Sequence, residues 1–68
     1  MTPTDAIRDA RREVRFEQVR LLRAIDRRMD GGSDEEVKAA TERFLAACRT
    51  LDRCLDAAEE MADAARVE

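Results

Sequence analysis

The sequence predicts an all-α protein, an antiparallel two-helix hairpin of coiled-coil-like character that assembles into a four-helix bundle. Three observations predict it. Charged residues make up 43% of the 68 positions, and only two glycines and one proline interrupt the chain, which is the composition of long solvated helices. The apolar residues recur at helical rather than alternating spacing. Asp30-Gly31-Gly32-Ser33 joins a helix stop to a helix start, and so short a connection makes the two helices antiparallel neighbours.

Residues 1–68 read as one helical-hairpin domain. In Thr2-Pro3-Thr4-Asp5, Thr2 or Thr4 offers a cap, Pro3 suits the first turn and Asp5 favours the positive helix end. Helix 1 is expected over about 3–29. The turn is expected at 30–33, because glycine readily takes the left-handed geometry that closes a helix. Ser33-Asp34-Glu35-Glu36 reads as a capping box, with Ser33 accepting from the Glu36 amide and Glu36 reaching back to Ser33. Helix 2 is expected from 34 to about 65.

On a wheel at about 100° per residue, Ile7, Ala10, Val14, Leu21, Leu22, Ile25 and Met29 form one stripe of helix 1, interrupted by Gln18. Helix 2 repeats in sevens. Val37, Phe44, Leu51, Ala58 and Ala65 make one row, Ala40, Ala47, Cys54 and Met61 the next, and Thr41, Cys48, Leu55 and Ala62 flank them. Its far end is lined by alanine, which buries little area, so that end is expected to be the weakest part. So small a chain has a thin core, and a lone pair of helices leaves half of each stripe wet. The expected oligomer interface is therefore Ile7, Val14, Leu21 and Ile25 on helix 1, with Val37, Phe44, Leu51 and Leu55 on helix 2.

Charge divides between the helices. Residues 1–32 hold eight arginines against six acids, and residues 33–68 hold five bases against ten acids, for net charges of +2 and −5. In a hairpin centred on the glycines, residue i lies near residue 63 minus i. Arg8, Arg11 and Arg15 then stand level with Asp52, Asp56 and Glu59, and pairing between these rows is expected.

No residue pattern points to catalysis. Paired carboxylates between Asp52 and Asp63 have no histidine beside them and no metal-ligand spacing, and Gly31-Gly32 follows no strand as a phosphate-cradling loop would. With no histidine and two cysteines, a tetrahedral zinc site cannot be filled. No cofactor is expected. Cys48 and Cys54 are six residues apart, about 9 Å along one helix, too far to bond to each other. They read as reduced, small apolar residues. No apolar run approaches the roughly 18 residues that span a bilayer, and no secretory signal is apparent at the start, so a cytoplasmic location is expected. Twelve arginines against one lysine associate with a GC-rich bacterial or phage coding sequence.

Phe16 does not belong to the stripe. It lies about 180° from Ile7, with Val19 on the same outer face and Arg12, Arg20, Arg23 and Arg27 around them. An aromatic ringed by arginines suits a protein-binding hot spot, and also a site where arginines neutralise phosphate and a ring stacks on a base. These six residues are the candidate partner-binding site. The length, the Gly-Gly turn and the apolar phase resemble two kinds of small helical hairpin. One is the plasmid copy-number regulator that dimerises as a four-helix bundle and binds paired RNA loops. The other is the co-chaperone of type III secretion needle subunits. The functional expectation is a non-enzymatic adaptor, inhibitor or co-chaperone that binds itself or a helical protein. A nucleic-acid-binding regulator using the arginine face is the alternative, against which an isoelectric point near 5.0 counts.

Overall fold

The computed structural model describes residues 2–66, which form two helices and, among these residues, no strand. Helix α1 spans Pro3–Met29 and α2 spans Asp34–Arg66. The bounds match those read from the sequence to within one residue, because local chemistry sets both ends. Thr2 caps α1: its hydroxyl accepts from the Asp5 amide at 3.2 Å, and the Asp5 carboxylate accepts from the Thr2 amide and hydroxyl. This reciprocal box satisfies donors that the first turn leaves unpaired.

The turn uses its two glycines differently. The Gly31 amide donates to Arg28 O at 3.1 Å and the Gly32 amide to Arg27 O at 2.7 Å, the paired closure of a helix C-terminus. Gly31 has φ +100°, where a side chain is strained. At Gly32 a Cβ would stand 2.6 Å from Arg27 O, so close approach requires glycine there. Past the turn, the expected box at Ser33 is corrected. Ser33 Oγ accepts from the Glu35 amide at 3.0 Å, one residue earlier than expected. Glu36 turns to Arg27 instead, whose Nε donates to it at 2.7 Å, a bond in which both partners carry charge.

Helix α2 runs back along α1. The ion pairs Arg28–Asp34, Arg27–Glu36 and Arg43–Glu17 mark the register, and Pro3 and Ala6 share a hollow with Cys54, Ala57 and Met61. The result is a rod 59 × 15 × 14 Å in extent. Its buried seam is narrow. Ala10, Ala24, Ala40 and Ala47 are the buried apolar residues, with Ala24 and Ala40 only 1% exposed. Alanine lets two helix axes approach closely, and the larger residues beside it, Ile7, Val14, Leu21, Val37, Phe44 and Leu51, are each left half-buried.

The inward face of α1 is set by seven-residue rows, Ile7-Val14-Leu21 and Ala10-Glu17-Ala24. This rephases the expected stripe by about one residue over its second half. Leu22 and Met29 are 58% and 78% exposed and Ile25 also faces out, while Glu17 occupies the seam in place of the expected Gln18. On α2 the expected rows hold as far as Ala58. Beyond it Met61, Ala62 and Ala65 are exposed, because α2 is six residues longer than α1 and extends past the last turn that could cover it.

Candidate functional site: two flanks of one seam

Viewed down the rod, the two helices are traversed in opposite rotational senses, since α2 runs back along α1. Residues that precede the seam rows on both helices therefore lie on one flank, and residues that follow them lie on the other. The ion pairs identify the first flank. Arg27 and Glu36 both precede the seam rows and meet across it. Arg20 and Arg43 also precede them and converge on Glu17, at 3.6 Å and 3.5 Å.

On this arginine flank Glu17 is 5% exposed. A buried carboxylate needs compensating charge, and two half-exposed guanidinium groups supply it. Its Oε2 is the one buried side-chain oxygen among the described residues without a hydrogen-bond partner. The Arg43 Nε lies 3.5 Å away, so the contact is a charge pair rather than a hydrogen bond. Arg20, Arg23, Arg27 and Arg43 line an open hollow here together with Glu36.

Phe16 sits on the outer edge of the same flank, 56% exposed. The Arg20 guanidinium carbon lies 5.5 Å from its ring centroid, within cation–π range and worth about 0.5–1 kcal/mol at an exposed site. Val19 is also exposed, further round the back of α1. Of the six candidate partner-binding residues, Phe16, Arg20, Arg23 and Arg27 thus share a continuous surface. Arg12 and Val19 fall on the outermost row, nearer the back of the rod. Arg43 and Glu17 belong to this surface and escaped the sequence reading. The seven-residue spacing of Glu17 between Ala10 and Ala24 is the signal that identifies Glu17, whereas Arg43 joins only across the seam.

The second, open flank carries Leu22, Ile25 and Met29 from α1 with Leu45, Cys48 and Leu55 from α2. All of these except the half-buried Cys48 are exposed. Toward the far end the apolar residues give way to Arg8, Arg11 and Arg15 on α1 and to Asp52 and Glu59 on α2. The expected pairing between these rows is not formed among the described residues, and Arg8 instead lies 3.9 Å from Asp5. Water solvates each of these exposed charges about as well as a partner would, so nothing holds the pairs closed. Cys48 and Cys54 are both free.

Of the eight expected interface residues, six lie half-buried in the intramolecular seam, and Ile25 and Leu55 stand on the open flank. Among the described residues no cluster of His, Cys, Asp or Glu has the arrangement to hold a metal ion, and no helix is long and apolar enough to cross a membrane. Set against protein-family models, curated proteins and solved structures, the chain shows no significant similarity to any of them.

Proposed function

We propose that this chain is a small, non-enzymatic protein–protein interaction module, an adaptor, inhibitor or co-chaperone, that works in the cytoplasm as a homodimer or within a hetero-complex. The observation that carries this reading is the inversion of apolar burial. Four alanines are the fully buried apolar residues of the seam, while Phe16, Leu22, Met29 and Leu45 stand about half or more exposed. Each large apolar side chain that becomes covered is worth about 1.5–3 kcal/mol, so other helices laid over these residues would supply what the thin seam lacks. A four-helix bundle is the simplest such assembly. Recognition of a partner is assigned to the Phe16 face, where a ring among arginines has the make-up of a binding hot spot. Polar groups stand on convex helix surfaces rather than in an enclosed cavity, which supports a binding role over a catalytic one.

The assembly part is tested by thermal unfolding across a hundredfold range of concentration. The melting temperature should rise with concentration. A constant value together with a monomer mass by light scattering overturns it.

A second reading, nucleic-acid binding, draws on the convergence of Arg20, Arg23, Arg27 and Arg43 on one hollow. Replacing Arg20, Arg23 and Arg27 by Gln separates the two. A nucleic-acid partner loses affinity and its binding becomes less steeply salt-dependent, whereas a protein anchored by Phe16 responds weakly to salt.

A further inference from the structure

We infer that the open flank is covered by a second copy of this chain, packed face to face with both turns at the same end. This rests on the assembly reading above and adds to it the face, the occupant and the orientation. The flank extends along a rod 59 Å long and 15 Å wide, a footprint of about 900 Å². A standard-size interface needs about 800 Å² per partner, so this footprint, the most that one copy could cover, admits an interface of that size.

Two-fold symmetry allows two ways to lay this flank on itself. With the turns together, α1 of each copy lies on α2 of the other at matching levels. Arg8, Arg11 and Arg15 of one copy then meet Asp52 and Glu59 of the other, while Leu22 and Ile25 come level with Thr41 and Lys38, with Leu45 one turn away. The same matches occur twice by symmetry. With the turns apart, α1 lies on α1 and α2 on α2. Arg15 then faces Arg15, Asp34 approaches Glu59, and Arg8 and Arg11 oppose Ile25 and Leu22. Only the first arrangement matches basic row to acidic row.

The state of these charges in the single chain agrees. The arginine flank closes its own ion pairs, Arg27 with Glu36 and Arg43 with Glu17. On the open flank, Arg11, Arg15, Asp52 and Glu59 take part in none of the ion pairs formed among the described residues. Like charges brought together across an interface oppose association, and complementary ones select orientation. Two rows of opposite sign, unengaged apart from Arg8 beside Asp5 and level with each other, form a self-complementary surface.

Two measurements test this. In the first, Ser33→Cys in a Cys48→Ala, Cys54→Ala background carries a nitroxide label, and pulsed electron resonance reads the separation between copies. Turns together give a separation near the rod's own 14–15 Å thickness plus the label arms, and turns apart give one near its 59 Å length. The long distance in a dimer overturns the inference and leaves the assembly reading standing. A monomer at every concentration overturns both. The second measurement keeps the native cysteines. One variant carries Arg8, Arg11 and Arg15→Glu, and another carries Asp52 and Glu59→Arg. Each alone should self-associate about tenfold more weakly or worse, and an equimolar mixture should recover the dimer. Unchanged self-association of both variants overturns the inference.

Discussion

The two flanks of the hairpin share one seam and one length of chain, yet they solve opposite problems. On the arginine flank a charge is buried and the surface is built around it: Glu17 lies in the seam and Arg20 and Arg43 come from two helices to compensate it. On the open flank the seam ends in exposed leucine, isoleucine and methionine. Its charged residues remain apart. The difference teaches that polar satisfaction inside a single chain is a sign of a finished surface. Exposed apolar residues beside unengaged charges of both signs are the sign of an unfinished one.

Glu17→Lys is the strongest way to break this comparison. It places a third cation between Arg20 and Arg43, and should cost about 3 kcal/mol or more, since an uncompensated charge at a buried position is costly. Chemical denaturation of the variant measures it, and an unchanged midpoint would mean that Glu17 is not held in the seam. Glu17→Leu sharpens the same point, because removing a buried charge in favour of an apolar group of similar volume is often neutral or stabilising. The arginines it releases are already half exposed.

Leu51→Ala should come next, at about 2 kcal/mol or somewhat more. That is the low end of the range for truncating a core leucine, because Leu51 is half-buried in the single chain. It acts on the seam that both flanks share, so helicity by circular dichroism and assembly should fall together. A melting curve that does not move would place the seam on other rows.

Leu22→Gln probes the open flank. An exposed residue of a monomer contributes within about ±0.5 kcal/mol, whereas one covered by another helix should lose about 1–2 kcal/mol. The loss should show as a lower melting temperature at high concentration that converges on the parent at low concentration. Equal melting curves throughout would leave Leu22 uncovered in solution.

The smallest stability effect is expected at Phe16→Ala, within about ±0.5 kcal/mol, with oligomer mass retained. Binding to a protein partner should nevertheless fall by about 2 kcal/mol if the ring is an anchor. Dissociation of the oligomer would instead make the arginine flank an assembly surface and reverse the roles given to the two flanks.

Helix ends were the most legible part of this chain. Thr2, Pro3 and Asp5 start one helix, Gly31 and Gly32 stop it, and Ser33 starts the next. Each acts through hydrogen bonds within a few residues, which a linear reading can follow. The seam of α2 was legible too, because its rows of seven contain apolar residues at nearly every position. On α1 the phase drifted. A wheel at about 100° per residue favours Leu22, Ile25 and Met29 over a row that includes a glutamate, because burying a carboxylate runs against hydrophobic patterning. The arginine flank was half visible: Phe16, Arg20, Arg23 and Arg27 are close in sequence, but Arg43 reaches them only across the seam.

By itself, the sequence determined that there are two helices, where they begin and end, and that charge of opposite sign divides between them. These follow from local capping and from periodicity. Only the tertiary structure decided which side of α1 faces α2. That choice depends on how closely two helix axes approach. Small side chains allow a close approach, and Ala10 and Ala24 turn inward on α1 as Ala40 and Ala47 do on α2. Glu17 is carried inward with them, and larger apolar residues are carried out to the flank. The compensation of Glu17 by arginines from both helices exists only once that approach is made.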